Sequence, residues 1–386
     1  MFALAGILAG GEATGQTVAG RPAVRKVRDL VIYQDANFYS AFPSVVRRPD
    51  GELMVAFRRA PSRVALGEAK EGHVDPNSQL VQVRSRDSGA TWTREPALIH
   101  AHALGGSQDP CLLQLRDGAL LCASYGWAFV QPAAVAKMKP PVFEVKAGVV
   151  FLGGYLVRSA DGGHTWAGPV FPPHVSSEIY FDPHGRPLPA YNRGALCEGQ
   201  DGRIFWVIAA TDVASPRKTS NHLLVSDDHG ATWSYSAPVA VDAKVTFNEA
   251  SVYETPRKDL VAFLRTAALD DHAVLARSTD GGKSFLPWQD LGFQGHPLHA
   301  LRLPDQRVLL TYGYRHPPFG VRARILNAEC TDFATAPEIV LRDDGGTTDV
   351  GYPWSVAVDG QRVLVVYYFN VAGGPRQIAG TMIEID

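Results

Sequence analysis

Short hydrophobic runs, many of them alternating with polar residues, recur along the chain and are separated by tight turns. Four of these turns are Asp-Gly pairs, at residues 50–51, 117–118, 201–202 and 359–360. Two apolar runs joined by such a turn predict a β-hairpin. We count six hairpins, over residues 43–59, 110–126, 194–211, 249–266, 297–315 and 353–369.

A second motif, the octet Ser-x-Asp-x-Gly-x-Thr-Trp, occurs between the hairpins. Three copies begin at Ser85, Ser159 and Ser226, and a fourth, beginning at Ser278, ends in Ser-Phe. Each copy follows a short alternating run, so it is predicted to be a turn between two further strands. Its Asp carboxylate can accept backbone N–H groups, its Gly allows a left-handed backbone, and its aromatic residue is predicted to pack into the core. We therefore interpret these aspartates as structural rather than catalytic.

Six hairpins, each followed by two more strands, predict an all-β fold, a six-bladed β-propeller with four antiparallel strands per blade. After the last hairpin only residues 377–385 remain, so the early run at residues 24–33 is predicted to supply the missing fourth strand and close the ring. The predicted domain covers residues 23–386 and carries four copies of the octet. Residues 1–22 are predicted to be an N-terminal tail or the remnant of an export signal, which favours a periplasmic or secreted protein over a cytoplasmic one.

Composition and charge exclude several classes of protein. The chain has 386 residues, of which 46% are hydrophobic and 20% charged, as is ordinary for a globular protein with a large core. Its 37 basic and 39 acidic residues form no long like-charge block, so we expect neither a nucleic-acid nor a membrane partner. The four cysteines are too scattered for a disulfide framework or a zinc site, and no metal or organic cofactor is predicted. Nothing in the sequence indicates an oligomeric state.

Propeller topology predicts where a binding site lies. In each blade the innermost strand begins, and the second strand ends, on the same rim of the ring. The residues at these points are rich in arginine, carboxylate, histidine and tyrosine, which is typical of a pocket for a polar, anionic small ligand. They are Asp109, Arg193, Asn248, Glu249, His296, His299 and Tyr352 at strand starts, and Arg58, Arg59, Tyr125, Trp127, Asp212, Arg265, Tyr314 and Arg315 at strand ends.

The octets, the hairpins and these rim residues together resemble the sialidase (neuraminidase) superfamily of glycoside hydrolases, whose members are six-bladed propellers with BNR, or Asp-box, repeats. The similarity covers the chain from about residue 35 to its end. It implies an exo-acting hydrolase that releases a terminal α-linked, acidic sugar with retention of configuration. The implied partner is a glycan or glycoconjugate substrate.

The resemblance also implies a catalytic pair. Asn248-Glu249 opens a strand and Arg265 ends the next one, as in the superfamily. Glu249 is implied to be the base that polarises a nucleophilic tyrosine, and Tyr352, which opens the last hairpin, is implied to be that tyrosine. Arg265 is implied to bind the substrate carboxylate. An unionised phenol, with a pKa of about 10, is a poor nucleophile and needs such a neighbouring carboxylate.

In the superfamily, the acid that protonates the leaving oxygen lies about ten residues before the first octet. Asp75 is at that distance from Ser85 and is implied for this role, which requires a carboxylic acid in a mostly dry site. His73 is a rival candidate. Asp109, His73 and His299 are further expected to line the pocket and to contact the ligand.

The chain departs from the superfamily at the first arginine of the carboxylate-binding cluster. Ala41 occupies that place, and Arg58 or Arg59 from the adjacent strand end can substitute for the missing side chain. For the third arginine, Arg322 precedes a strand as in the superfamily, whereas Arg315 fits the rim better. The departure leaves two further hypotheses open. One is a propeller with a changed pocket, acting on a different sugar as a uronic-acid or deoxy-sugar glycosidase or lyase, and the other is a non-catalytic carbohydrate-binding propeller.

Overall fold

The computed structural model describes residues 24–69, 72–372 and 374–386. These residues form six antiparallel sheets, the blades of a propeller, with almost no helix. The predicted all-β, six-bladed propeller is thereby confirmed. Five blades have four strands; the second has six, because its innermost strand is split in two and a short extra strand is added. The predicted tail at residues 1–22 lies outside the described residues.

The strands follow one another blade by blade. Strand β1 (Val24–Gln34) belongs to the last blade, and blade 1 contains β2 (Phe38–Arg47), β3 (Leu53–Pro61), β4 (Gln79–Ser85) and β5 (Ala97–His100). Blade 2 contains β6 (Gly105–Ser107), β7 (Cys111–Gln114), β8 (Leu120–Phe129), β9 (Glu144–Lys146), β10 (Val149–Ser159) and β11 (Ala167–Val170), with the one-turn helix α1 (Pro132–Val135) between β8 and β9. Blade 3 contains β12 (Cys197–Glu198), β13 (Ile204–Ala214), β14 (Arg217–Ser226) and β15 (Ser234–Ala240).

Blade 4 contains β16 (Thr246–Glu254), β17 (Leu260–Ala267), β18 (His272–Ser278) and β19 (Gln289–Gln294). Blade 5 contains β20 (Leu298–Arg302), β21 (Val308–Tyr314), β22 (Gly320–Leu326) and β23 (Ile339–Arg342). Blade 6 contains β24 (Gly351–Ala357), β25 (Arg362–Phe369) and β26 (Gln377–Ile385), together with β1. In the part of the chain that the structure describes, no helix is long and apolar enough to cross a membrane.

The ring is closed by β1, which runs antiparallel to β26 from Val24 opposite Ile385 to Gln34 opposite Gln377. This is the pairing that the early hydrophobic run predicted. Apolar side chains also pack between blades, and one buried cluster joins residues of blades 6, 1, 2 and 3. Pairing at the seam and packing between blades therefore hold the ring together.

The octet is a turn held by its own side chains, as predicted. In the first copy Ser85 Oγ donates to Asp87 Oδ1 at 2.8 Å and accepts from the Gly89 N–H at 2.8 Å. The N–H and hydroxyl of Thr91 donate to the two carboxylate oxygens of Asp87. Gly89 has a φ of 84°, the left-handed conformation that glycine adopts without strain. The same contacts recur in the other three copies.

Replacing Asp87 with alanine is expected to lower the thermal unfolding midpoint at neutral pH. Hydrogen bonds from Thr91 and Ser85 lower the pKa of Asp87 to about 2, whereas an unfolded chain titrates near 3.9. Because the folded pKa is the lower one, the stabilisation is complete above about pH 4 and is lost as the pH falls towards about 2. Thermal unfolding of both proteins across this range should show the difference in midpoint shrinking in acid. A difference that is independent of pH would contradict this account.

Three innermost strands carry a β-bulge near their start. At residues 42–43, 248–249 and 352–353, two residues oppose a single residue of the neighbouring strand. Phe42 and Tyr352 there have left-handed φ angles of 58° and 55°, which are uncommon for bulky side chains. A bulge re-aims the side chains that it contains. The bulges of blades 1, 4 and 6 therefore turn these side chains towards one rim of the ring.

Candidate active site

A tyrosine, a glutamate and an arginine from two blades meet at this rim. The Tyr352 hydroxyl donates a hydrogen bond to Glu249 Oε1. Arg265 Nη1 donates to Glu249 Oε2 at 2.6 Å and to Tyr352 Oη at 3.2 Å. Glu249 and Arg265 lie across one hairpin, with the bulge at residues 248–249 facing Arg265. The structure thus brings together the three residues that the sequence pairs by spacing and by resemblance.

The surroundings set the charges of this group. Burial, reinforced by the charge of Glu249, raises the pKa of Tyr352 well above the ordinary value for a phenol. Burial alone would raise the pKa of Glu249 as well, but the charge and hydrogen bond of Arg265 outweigh it and lower that pKa to about 2. At neutral pH the site therefore holds a neutral phenol that donates to a carboxylate, the arrangement of a nucleophile next to its base.

A second arginine reaches this tyrosine from the opposite side of the ring. Arg193 precedes β12 in blade 3, and its guanidinium donates to the carbonyl oxygens of Pro43 at 3.0 Å and Tyr352 at 3.4 Å. Its guanidinium carbon lies 4.7 Å from the centroid of the Tyr352 ring. The side chain is fully buried. A cation that contacts both the backbone and the ring face fixes the orientation of Tyr352.

Arg58 stands directly opposite Ala41 in the β2–β3 ladder. It is 0% exposed, and its three guanidinium nitrogens have no hydrogen-bond partner within the described residues. Burial lowers the pKa of Arg58, while the nearby acids Asp109 and Asp75 act in the opposite direction. An unpaired guanidinium held inside a protein is costly, so it points to an anionic ligand that completes its hydrogen bonds.

Arg59 is directed to the other face of the strand, because successive residues of a strand alternate in direction. Its guanidinium carbon lies 3.4 Å from the centroid of the Phe38 ring, and Nη2 is 3.7 Å from an Asp35 carboxylate oxygen. Of the two arginines that the sequence offered in place of Ala41, the structure brings only Arg58 to the cluster.

The two candidates for the third arginine, Arg315 and Arg322, differ in the direction of their side chains. Arg315 donates to the Val350 carbonyl at 3.1 Å and to the Tyr368 hydroxyl at 2.8 Å, and its guanidinium carbon lies 5.1 Å from the centroid of the Tyr352 ring. Arg322 turns outwards, where it donates to the carbonyl of Arg342 and lies 3.5 Å from Glu338. The structure places Arg315 beside the tyrosine and leaves Arg322 outside the cluster.

Two other predicted pocket residues lie at different depths. Asp109 is buried; its Oδ2 accepts from the Tyr125 hydroxyl at 2.9 Å, and its Oδ1 has no partner in the described chain. Burial raises its pKa, although the charge of Arg193 opposes the shift. His299 is stacked on Trp354 at 4.7 Å between ring centroids and lines an open cavity of about 500 Å³ between the innermost strands. The structure thus places His299 in this central cavity, one residue after the start of β20, and its contact with a ligand stays a prediction.

Asp75 is buried, and both of its carboxylate oxygens are occupied. Oδ1 accepts the Asn77 N–H at 2.8 Å, and Oδ2 accepts from Nε of Arg63. The first contact caps a turn, which is a common role for an aspartate two residues before the donor. Its neighbour His73 is different, because its side chain is 52% exposed and its Nε2 lies 2.9 Å from Asp349 Oδ1.

Asp349 is an acidic residue of the site that the sequence pattern did not indicate. It lies in the loop before β24 and accepts hydrogen bonds from the hydroxyls of Tyr39 at 3.0 Å and Tyr368 at 2.8 Å, and from Arg376 Nε at 2.9 Å. Burial would raise its pKa, but the hydrogen bond from His73 and the charge of Arg376 hold that pKa well below the usual range. Only its position just ahead of the bulge at residues 352–353 could have drawn attention to it.

Fold and geometry together define the class of protein: a six-bladed Asp-box propeller of the sialidase-like superfamily. A family profile described as BNR repeat-like domain matches residues 142–365, which is more than half of the chain. The chain belongs to this BNR repeat-like domain family. No curated protein matches it.

Solved structures place the fold in the same group. A protein of unknown function from Dyadobacter fermentans DSM 18053 is 66% identical, with a TM-score of 0.93 over 94% of this chain and 99% of that one. A Hadza microbial sialidase is 18% identical, with a TM-score of 0.64 over 90% of this chain and 66% of that one. The NanB sialidase from Streptococcus pneumoniae is 13% identical, with a TM-score of 0.61 over 92% and 70%. The likeness to the two sialidases concerns the fold alone.

Proposed function

We propose that this protein is an exo-acting glycoside hydrolase that releases a terminal α-linked, acidic sugar with retention of configuration. The observation that supports this most is the hydrogen bond from the Tyr352 phenol to Glu249, with Arg265 bound to both. The fold, shared with sialidases, is compatible with such a reaction but does not specify it.

The reaction would take two displacements at the anomeric carbon. In the first, Tyr352 Oη attacks that carbon, its proton passes to Glu249 Oε1, and the bond to the leaving oxygen breaks as that oxygen is protonated by an acid. In the second, water attacks the anomeric carbon and gives a proton to the now deprotonated acid, the bond from that carbon to Tyr352 Oη breaks, and Glu249 returns its proton to the tyrosine oxygen. Two inversions give net retention. His73 and Asp75 are the two candidates for the acid.

Arg265 links substrate binding to the basicity of Glu249. In the structure Arg265 donates to Glu249, which keeps that carboxylate a weak base. A substrate carboxylate that draws the guanidinium towards itself weakens this contact and raises the proton affinity of Glu249. An acidic sugar would thereby make Glu249 a stronger base for its own cleavage, whereas a neutral sugar would leave the basicity of Glu249 unchanged.

The carboxylate of the sugar would be bound by Arg265, Arg315 and Arg58. Arg58 supplies the unpaired guanidinium, from the strand next to the one that carries the family's first arginine. Ala41 carries no charge at the position of the superfamily's first arginine. The positive charge comes instead from Arg58, on the neighbouring strand. This displacement favours a second candidate function, hydrolysis of another acidic sugar such as a uronic acid in place of a sialic acid.

A panel of 4-methylumbelliferyl α-glycosides of N-acetylneuraminic acid, Kdn, glucuronic acid and rhamnose tests the proposal. We expect cleavage of at least one acidic glycoside and none of the rhamnoside. Proton NMR of the first-formed product should show the α anomer. A first-formed β anomer would rule out the double displacement, an unsaturated product would indicate a lyase, and glycan binding without cleavage would indicate a binding propeller.

A further inference from the structure

His73 and Asp349 form a hydrogen-bonded pair at the junction of blades 1 and 6. Nε2 of His73 lies 2.9 Å from Asp349 Oδ1, and no described residue hydrogen-bonds to the other ring nitrogen, Nδ1. The imidazole is half exposed, whereas the carboxylate is mostly buried. A histidine whose inner nitrogen is held by a carboxylate and whose outer nitrogen is open is arranged for proton transfer.

The pair is connected to the nucleophile by contacts on both sides. Phe42 packs against His73 at 5.4 Å between ring centroids and against Tyr352 at 4.8 Å. The Tyr368 hydroxyl accepts from Arg315 at 2.8 Å and donates to Asp349 at 2.8 Å. The His73–Asp349 pair therefore belongs to the same connected group of side chains as the tyrosine.

A cavity lies beside Asp349, the buried member of this pair. Asp349 lines a cavity of about 510 Å³, whose walls include Phe38, Tyr39, Val64 and Pro375. The cavity lies on the blade 1 and blade 6 side, whereas Glu249 and Arg265 belong to blade 4. His73 is on the same blade 1 and blade 6 side, so a leaving group directed away from Glu249 and Arg265 would face it.

Asp75 is less suited to donate a proton to that leaving group. Its side chain is buried, and its two oxygens already accept from Arg63 and from the Asn77 backbone. A general acid must carry a proton and present it to the substrate. The contacts of Asp75 serve instead to fix the loop that carries His73.

We propose that His73 is the acid and base of the reaction and that Asp349 is its positioning residue, an assignment that rests on the proposed function. The imidazolium gives its Nδ1 proton to the glycosidic oxygen as the bond from that oxygen to the anomeric carbon breaks, and the bonding electrons stay on the oxygen. His73 Nδ1 then takes a proton from the water that attacks the anomeric carbon, as the bond from that carbon to Tyr352 Oη breaks. Asp349 holds the ring through Nε2 in both steps.

The test compares two leaving groups on one sugar, the 4-methylumbelliferyl and the methyl α-glycoside of the acidic sugar that the wild type cleaves. Methanol is a poor leaving group and needs protonation much more than the aryl alcohol does. For His73→Ala and His73→Gln we expect kcat/KM on the methyl glycoside to fall by roughly 10²–10⁴-fold, and on the aryl glycoside by roughly tenfold or less. Asp349→Asn should show the same selectivity with a smaller loss.

Asp75→Ala is the matched control, because it removes the rival acid from the same loop. We expect it to keep the wild-type ratio of the two kcat/KM values, whatever its effect on the unfolding midpoint. A selective loss in Asp75→Ala but not in the His73 variants overturns the assignment, as do equal losses on both glycosides in the His73 variants. A wild type that cleaves neither glycoside overturns the proposed function, and the assignment with it.

Discussion

Tyr352→Phe is expected to lower kcat/KM by roughly 10³-fold or more on every glycoside that the wild type cleaves. The variant keeps the ring and its contacts with Arg193 and Phe42, but it lacks the oxygen that attacks the anomeric carbon. The change removes only the hydroxyl group that donates to Glu249 and leaves the arginines proposed to bind the sugar carboxylate. Affinity for the sugar should therefore change little. Steady-state kinetics together with calorimetric titration of the released sugar separate the two effects.

Tyr367→Phe provides the control for this experiment. Tyr367 is also a fully buried tyrosine of blade 6, and its hydroxyl hydrogen-bonds to Thr381, away from the arginine cluster. We expect this variant to lose some stability and to keep its activity. If Tyr352→Phe retained wild-type kcat/KM, water or another side chain would be the nucleophile, and the double displacement would be wrong.

Arg58→Met is expected to change stability and ligand affinity in opposite directions. Replacing buried ionic groups by apolar side chains of similar volume stabilises proteins by about 1–4 kcal/mol in favourable cases. Arg58 has no hydrogen-bond partner to lose among the described residues, and its packing over the Tyr39 ring, at 5.4 Å, can be kept by the methionine side chain. Loss of the cation that faces the substrate carboxylate should weaken binding of the acidic sugar by roughly 10²-fold. Thermal unfolding and calorimetric titration measure the two quantities on the same sample.

Arg59→Met distinguishes a specific effect from a general loss of positive charge. This residue has the same charge one position along the strand but contacts Phe38 and Asp35. We expect its affinity for the sugar to stay within about twofold of the wild type, as for surface charges outside a site. If Arg58→Met lowered both stability and affinity, its guanidinium would be a structural element of the fold and not a ligand-binding group.

The fold could be predicted from the sequence because its determinants are local and repeated. Each hairpin carries its own turn residues, and each octet carries the Asp and Gly that make its hydrogen bonds, so each copy supports the same interpretation. Even ring closure by residues 24–33 followed from counting strands. The Glu249–Arg265 pair could also be predicted, because both residues lie on one hairpin and their spacing in the sequence places them opposite each other.

The directions of the side chains at the site could not be predicted from the sequence. Arg58 and Arg59 are neighbours in sequence, and only the register of β3 decides which of them faces the rim. His299 was predicted at the rim, but it lies one step down the innermost strand, where it stacks on Trp354. Asp349 gathers its four hydrogen-bonding partners from blades 1 and 6, so no local pattern could identify it. These features depend on bulges and on contacts between distant segments.

Pairing between β1 and β26 also determines when blade 6 can acquire all of its strands during synthesis. The residues of β1 are translated long before residues 377–385, so their backbone groups have no strand partner until those residues have left the ribosome. Blade 6, which carries Tyr352, is the last to gain its full sheet. A nascent chain is therefore expected to hold Arg58 and Arg265 in complete blades before Tyr352 is fixed in a complete blade 6.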